Sequence, residues 1–384
     1  MSSDIRIAPV ESARDLRRFI ALPHRIYAQD KFWVPPLDSE VRKLLSPKKN
    51  TFFENGEAAY WLALRDGEPV GRISAQINRR HLALYDDATG NFGFLEAIDD
   101  QEVFDALFAT AETWLRARAM RRAIGPYSLT INDDIGVLVS GFDSAPMALM
   151  GHSPRYYQPR LEQAGYTKAK DIFSFRLGRE ELSSYSVERM TRIRERFAAN
   201  EHIALRFIDM KRFEEEMHLI LDLYNDAWRD NWGFLPVTPN EARNLVASIR
   251  PIVRPDQVIL ASVGGTTIGF IAAIPDINEF LVDLKGKLLP FGWAKMLWRL
   301  KFATPRGVRV ILAGVKSDYR NSALSGAVMS SMLGMLVENL VRSRHQVCEI
   351  SWILEDNQAS IRVTRLFAKL AKTHRIFGKE LSAS

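Results

Sequence analysis

Several places in the 384-residue sequence gather side chains capable of chemistry. His152 precedes Tyr156 and Tyr157 in HSPRYYQPRLEQAGY. An imidazole titrates near neutral pH, so a histidine beside two phenols at a helix start can move protons on and off a reacting group. The plainer account is that the tyrosines pack with their hydroxyls at the surface. Glu355 and Asp356 close the run VCEISWILED, ahead of Asn357. A carboxylate there can take a proton from a nucleophile, or simply help to cap the helix that follows. Asn132-Asp133-Asp134 could hold a cationic amine or stand solvated in a loop. YNDAWRDNWGFLP (224–236) concentrates Trp228, Asn231, Trp232 and Phe234, which could line an apolar groove or pack as core.

The segment 285–309, KGKLLPFGWAKMLWRLKFATPRGVR, carries seven Lys or Arg and no acid. Trp293, Met296, Leu297 and Leu300 fall at helical spacing on one face, and Trp298 and Phe302 add apolar surface. A basic, tryptophan-bearing helix suits an anionic lipid surface. It could also lid a pocket, with Trp293 against substrate, or pack on its own core with a basic solvent face.

Other chemistries lack their signatures. There is no P-loop, no dinucleotide-binding glycine fingerprint after a strand and no HExxH, and the seven histidines show no metal-ligand spacing. No metal is expected. A net charge of +6 suits a polyanionic partner such as a phosphorylated cofactor or an anionic membrane surface. The basic residues are not interleaved with a nucleic-acid-binding fold, so nucleic acid is not expected. Cys348 stands alone and can form neither an internal disulfide nor a cysteine-based zinc site, which favours a reducing compartment. The start, MSSDIRIAPV, lacks the apolar core of a secretory signal, and no run of 18 uncharged apolar residues occurs. The expected location is cytoplasmic, with peripheral contact at the inner membrane as the option that the basic helix opens.

Hydrophobic residues make up 47% and charged residues 26%, enough to build an ordinary core over two domains of this length. In the first half, the pattern predicts a strand (IRIAPV), helices over 12–28 and 38–45, and a hairpin turning at Asp66-Gly67. It then predicts an amphipathic helix over 100–120 capped by Asp99 or Asp100, short strands (IGPYSLTIN, IGVLVSGF), a helix ending at Gly165 and a strand KDIFSFRL. In the second half, helices are predicted over 186–199 and 211–229, then a hairpin turning at Gly264-Gly265 and a strand VRVILAGV. A helix over 323–342, a strand VCEISWILE, a helix NQASIRVTRLFAKL and a strand HRIFGKEL follow. The order repeats with an offset of about 200 residues: VGRISAQIN answers IGFIAAIPDIN, and RLEQAGY…DIFSFRL answers RLFAKLA…RIFGKEL. The predicted class is α/β (mixed α+β), in two tandem domains, 1–182 and 183–384, each a mixed, largely antiparallel sheet flanked by helices, with the basic insertion over 279–305.

This order, present twice, resembles the GNAT superfamily of acyl-coenzyme-A-dependent N-acyltransferases. WILEDNQASIRVTRLFAKL is similar to the last strand and helix of that fold, where an Asn often starts the helix, as Asn357 does here. FIALPHRIYAQDKFWVPPL and PDINEFL…GKLLPFGW look like a broad set of bacterial proteins of this length. Some acyltransferases of this type are similar to bacterial ceramide synthases, which acylate the amine of a sphingoid base. The resemblance implies acyl-CoA as co-substrate. Its pyrophosphate motif, Arg/Gln-x-x-Gly-x-Gly/Ala between a strand and a helix, matches Arg320-Asn321-Ser322-Ala323-Leu324-Ser325-Gly326 after Val315. Ala323 and Ser325 replace glycines but remain small, so a helix amino terminus could still receive the anion. In the first half the same place reads FLEAIDDQEVF, whose Asp99, Asp100 and Glu102 would repel a phosphate. Cofactor binding is therefore expected in the second half. The first is expected to shape the acceptor site or to support the fold.

Where the superfamily often has a Tyr that protonates the leaving thiolate, the register here puts Leu366-Phe367. That points to another donor, with Tyr157 and His152 as candidates, or to none, since a thiolate already leaves readily. Glu355 is the candidate base. The expected reaction is acyl transfer to a primary amine, preferably a lipidic one such as a sphingoid base. The alternatives are acetylation of a small polar amine or a protein, and an inactive GNAT-like binding scaffold.

Overall fold

A computed structural model of the chain describes residues 4–179, 192, 195, 202–320 and 322–382. They form two compact units. The first runs to Ile172 and takes in Leu281–Gly292 and the chain from Lys372 onward; the second comprises Phe173–Phe280 and Trp293–Ala371. The expected domain boundary at 182/183 and the helix expected over 186–199 fall on residues outside the described ones or at their edge.

The first unit opens with β1 (Arg6–Pro9), α1 (Ala13–Ile26) and α2 (Asp38–Leu44). Ser12 starts α1 because its hydroxyl accepts from the Asp15 N–H while the Asp15 carboxylate accepts from the Ser12 N–H. Strands β2 (Gly56–Arg65) and β3 (Glu68–Asn78) make the expected hairpin. Asp66 and Gly67 take the positive φ angles, 53° and 80°, that a tight two-residue turn requires. A short helix, α3 (Arg79–Tyr85), leads to β4 (Thr89–Ala97), α4 (Gln101–Arg116), β5 (Arg122–Gly125), β6 (Val137–Ser140) and α5 (Tyr157–Gln163). Asp100 caps α4 through the Glu102 N–H. Strands β1, β2, β3 and β4 pair antiparallel in sequence, and β4 pairs parallel with β5. Helix α4 packs its stripe of Val103, Phe104, Leu107, Phe108, Ala111 and Leu115 on one sheet face. Phe19, Ile20 and Leu22 of α1 cover the other.

The second unit repeats this plan. It contains β8 (Ile203–Phe207), α6 (Phe213–Trp228), α7 (Pro239–Ile249), β9 (Val258–Val263), β10 (Thr266–Pro275), α8 (Gly292–Phe302), β11 (Gly307–Val315), α9 (Ala323–Arg342), β12 (Val347–Leu354) and α10 (Gln358–Arg365). Strands β8 to β11 are antiparallel, and β11 and β12 are parallel. Gly264 and Gly265 turn the β9–β10 hairpin with φ of 57° and 81°. Helix α9 packs on one face, α6 and α7 on the other. By length and composition α9 could cross a membrane, with mean hydropathy 1.4, yet half of that stretch is buried, and Val328, Met332, Leu336 and Val337 fill the core.

Two long strands are divided between the units. Residues Phe173, Phe175 and Leu177 of β7 (Thr167–Gly178) pack in the second unit's core, while Phe377 of β13 (Lys369–Glu380) packs in the first. There β13 pairs antiparallel with β5, from Phe377↔Gly125 to Glu380↔Arg122. The helix expected over 357–370 stops at Arg365, where Leu366 is exposed and the chain turns into β13.

Candidate active site

The cleft of the second unit arises from strand divergence. β11 and β12 pair from Gly307↔Val347 to Val310↔Ile350, and no further, although β11 runs on to Val315 and β12 to Leu354. On its other edge β11 carries one extra residue against β10, since Ala272 faces Leu312 while Ala273 faces Val310. Such a bulge at Ile311 bends the strand away from its neighbour. The opened wedge is a cleft of about 700 Å³, including its solvent-facing mouth. Val310, Ile311, Leu312 and Ala313 line it from β11, Ile350 to Leu354 from β12, Met329 and Leu333 from α9, and Asn357, Ser360, Val363 and Thr364 from the cap and length of α10. The lining is mostly apolar, with a few polar groups, as small-molecule sites commonly are.

Two aromatic side chains furnish the wall. The Trp228 indole N–H donates to the Ala313 carbonyl at 3.0 Å, fixing the end of α6 against β11. The Trp352 indole nitrogen is buried without a hydrogen-bond partner among the described residues. The Arg309 guanidinium sits 4.9 Å from the Trp352 ring centroid and donates from Nε to Ser351 Oγ at 2.8 Å. Trp352, Ser351 and Arg309 carried no signal in the sequence beyond polar residues inside otherwise apolar strand runs.

The strand that lines the cleft runs from Val315, paired with Gly269, into the loop that starts α9. Ser322 caps this helix, accepting from the Ser325 N–H at 3.1 Å and donating to the Tyr319 carbonyl at 2.5 Å. The Gly326 N–H reaches the Ser322 carbonyl at 3.4 Å. Ala323 and Leu324 occupy the first two helical positions, whose N–H groups have no partner within a helix. Ala323 is exposed, and a side chain on Gly326 would meet nothing within 4 Å. The helix start is therefore open enough to receive an anion. Asn321 lies outside the described residues. Arg320 donates to Asp230 Oδ2 at 2.5 Å and to the Ala227 carbonyl at 2.8 Å. Asp226 accepts from the Ser317 N–H at 2.6 Å and its hydroxyl at 2.8 Å. The loop is thus pinned to the end of α6.

The expected site residues separate into groups. Trp228, Asn231 and Asn357 line the cleft; Asn357 also caps α10 through the Ser360 N–H at 3.1 Å. Glu355 follows the last β12 residue, between the lining residues Leu354 and Asn357. Phe234 is buried core, 5.3 Å from the Tyr224 ring, and Trp232 is half-buried nearby in sequence. Trp293 projects from α8, 51% exposed. Phe367 packs against the second unit's core.

His152 and Tyr157 fall in the first unit, within a cluster that sequence spacing could not reveal. Glu96, near the end of β4, accepts from Tyr157 at 2.6 Å and Tyr27 at 2.8 Å, and its other oxygen lies 3.8 Å from Arg72. Burial raises the Glu96 pKa, against the pull of Arg72 and the two phenols. Burial, then the Glu96 charge, push Tyr157 and Tyr27 well above the ordinary phenol range. The Tyr157 oxygen also accepts from the Ala97 N–H at 3.0 Å, and Tyr156 donates to the Ala97 carbonyl at 2.8 Å. His152 Nε2 lies 2.8 Å from Asp30, while its buried Nδ1 has no partner among the described residues. Burial would raise Asp30, but bonds from His152 and the Phe32 N–H outweigh it and hold the carboxyl low. In the acidic loop, Asp133 accepts from the Thr130 N–H and hydroxyl at 3.0 and 2.7 Å.

Where the first unit could open a matching wedge, it is closed. β4 and β5 pair from Thr89↔Arg122 to Asn91↔Ile124, but the Tyr127 N–H then bonds the Phe92 carbonyl at 2.8 Å. A Cβ on Gly93 would lie 1.5 Å from the Tyr127 carbonyl oxygen, so the backbones touch. At the start of α4, Asp100 binds Arg65 at 2.6 Å and Asp99 binds Arg160 at 2.8 Å. Among the described residues no group of three or more His, Cys, Asp or Glu could hold a metal ion.

No family profile matches the chain. It is 39% identical over 382 residues to the bacterial ceramide synthase of Caulobacter vibrioides, covering 99% of this chain and 98% of that one. It is 36% identical over 370 residues to protein YghO of Escherichia coli K12, covering 96% and 93%. Among solved structures, a tandem GNAT protein of the clavulanic acid biosynthesis pathway matches with TM-score 0.56 at 12% identity, covering 99% of this chain and all of that one. A GCN5-related N-acetyltransferase from Sphaerobacter thermophilus matches with TM-score 0.50 at 13% identity, covering 98% and 96%. Sharing well over a third of its residues with the bacterial ceramide synthase along nearly its whole length, and carrying a doubled GNAT fold, the chain belongs to that synthase's family and is an acyltransferase.

Proposed function

We propose that the protein moves an acyl group from a coenzyme A thioester to the primary amine of a lipid, such as a sphingoid base, in the cytoplasm. The observation that carries this is the wedge between β11 and β12. It is lined by Val310, Ile311, Leu312, Met329, Leu333, Ile350, Ile353 and Val363, and its β11 wall leads into the open start of α9. An apolar wall suits a chain longer than acetyl, and helix-start N–H groups suit a diphosphate. The related synthase's name adds the ceramide product.

Ala323 and Leu324 would receive the diphosphate with their backbone N–H groups, Ser322 and Ser325 would hold that turn in place through their cap hydrogen bond, and Arg320 would add charge. Asn357 and Val315 would border the thioester. The amine nitrogen attacks the thioester carbonyl carbon, the C–N bond forms, the C–S bond breaks, and the thiolate leaves. Backbone N–H groups on the edge of β11 left unpaired beyond Val310 would stabilise the oxyanion. One such donor is worth roughly a hundredfold to a thousandfold in rate. Glu355 would accept the amine proton. Trp228, Asn231, Trp232, Phe234 and Trp293 would shape or support the acceptor side. In the first unit, Tyr157 holds Glu96 and His152 holds Asp30, bonds that fix that unit's own interior.

The test is product formation. Purified protein given palmitoyl-CoA and sphinganine should yield N-palmitoylsphinganine by mass spectrometry. Amide from acetyl-CoA and a small polar amine alone would remove the lipid acceptor. The absence of any heat or thermal shift with either thioester would leave a binding scaffold. Ala323→Glu places a carboxylate at the helix start and should abolish thioester binding; unchanged affinity would show that the diphosphate lies elsewhere.

A further inference from the structure

A small polar group lies under the apolar lining of the cleft, and alternation along the strands sorts it to one face. Val308 and Val310 of β11 and Cys348 and Ile350 of β12 pack beneath α9. Arg309, Glu349 and Ser351 therefore project from the opposite face, the one that α6 covers. There the Ser351 hydroxyl accepts from Arg309 Nε at 2.8 Å and donates to Glu349 at 3.4 Å. Arg309 and Glu349 are each 3% exposed. The Arg309 guanidinium sits 4.9 Å from the Trp352 ring centroid, which brings Trp352 into the same group. Trp228, at the end of α6, and Asn231 just beyond it line the cleft from that side. Trp352 also lines the cleft, and its indole nitrogen is buried with no hydrogen-bond partner among the described residues. A buried N–H left without an acceptor is costly, and a ligand that brings one removes the cost.

We propose that Trp352 is a specificity-determining residue, whose N–H donates to an oxygen that the acceptor carries beside its amine. An oxygenated lipid amine is then taken in preference to a plain alkylamine. The inference rests on the acceptor side assigned above and names the feature of the acceptor that this side reads. An indole N–H only donates, so it selects an oxygen with a free lone pair, which a hydroxyl or a carbonyl supplies and an alkyl chain does not. The group behind the ring selects a neutral oxygen over a carboxylate. An acid on the acceptor would bring a second carboxylate near Glu349, while Arg309 is already engaged through Ser351. A site built around such a donor discriminates strongly, because the analogue that lacks the oxygen leaves the N–H buried and unpaired.

Full-length protein with palmitoyl-CoA is given sphinganine or octadecylamine, amines of equal chain length that differ in their hydroxyls, and kcat/KM is compared. Sphinganine should be favoured about tenfold or more, the worth of one hydrogen bond to a buried donor. Trp352→Phe should lower kcat/KM for sphinganine and leave that for octadecylamine within about threefold, so that the preference collapses. Equal use of the two amines by the unaltered protein overturns the proposal. So does a variant that loses both amines alike, since the ring would then serve packing only. A second readout needs no turnover. With tryptophan labelled at the indole nitrogen, the magnetic resonance signal missing from Trp352→Phe is that of Trp352, and sphinganine but not octadecylamine should move it downfield. A signal that sphinganine leaves in place overturns the proposal. One that moves although neither amine is acylated would sink the acyl-transfer reading and leave this one standing.

Discussion

The Arg320 guanidinium is held by the Asp230 carboxylate at 2.5 Å, at the loop that opens α9. Both side chains are substantially exposed, so the pair itself contributes at most about 1 kcal/mol to stability. In the proposed complex a diphosphate would compete with Asp230 for the cation. Asp230→Asn should therefore tighten coenzyme A binding a few-fold in calorimetric titration, and Arg320→Ala should weaken it about tenfold or more, the worth of a charged hydrogen bond. Looser binding in Asp230→Asn would show that the carboxylate helps to present Arg320.

Val363 is half-buried on the cleft wall. If the acyl chain lies in the wedge, Val363→Trp should shorten the preferred thioester by several carbons while leaving coenzyme A affinity within about threefold. A screen of acyl-CoA lengths by kcat/KM reads this directly. An unchanged length profile would place the chain elsewhere.

Trp228→Phe keeps an aromatic side chain, smaller than the indole, and removes the N–H that reaches the Ala313 carbonyl. The expected cost is about 1 kcal/mol, seen as a fall of roughly 2–4 °C in melting temperature. No fall would mean that water replaces the donor without loss.

Glu96 has a pKa raised by burial, so the folded state binds its proton more tightly than the unfolded state does. The sign follows from linkage: its contribution to stability is largest below the ordinary carboxylate pKa and is lost as pH rises through the raised folded value. Glu96→Gln should remove that downward slope in denaturant titrations above about pH 4.5. Tyr157→Phe should cost about 1–3 kcal/mol, because Glu96 and the Ala97 N–H both lose a partner. A slope unchanged in Glu96→Gln would reassign it to another group.

Cys348 is buried in the second unit's core, and burial followed by the Glu349 charge pushes its thiol up to about 12. Native protein should resist alkylation at pH 8, and one thiol should react once the chain is denatured. Rapid native labelling would show that the core opens.

The two hairpins were legible because Asp66-Gly67 and Gly264-Gly265 punctuate alternating strands, and the caps Asp100 and Asn357 announced their helices. Strand β4 was harder to place, since TGNFGFLEA mixes glycines with apolar residues and is buried on both faces. The helix end at Arg365 was hidden because RLFAKL keeps a helical apolar spacing while the chain has already turned toward β13. Within the cleft, Trp228, Asn231 and Asn357 could be guessed from residue type. Trp352 and Ser351 could not, since a buried parallel strand shows no alternation. Glu96 and Tyr27 stand far apart in sequence, and tertiary folding alone brings them together.

Because Phe377 and Leu381 complete the first core, that unit stays unfinished during synthesis until those residues have emerged from the ribosome. The amino-terminal half must wait, partly assembled, while some two hundred later residues emerge. Removing residues 377–381 would therefore damage the portion made earliest, and a gene divided near residue 190 would yield two fragments that each lack a closing strand.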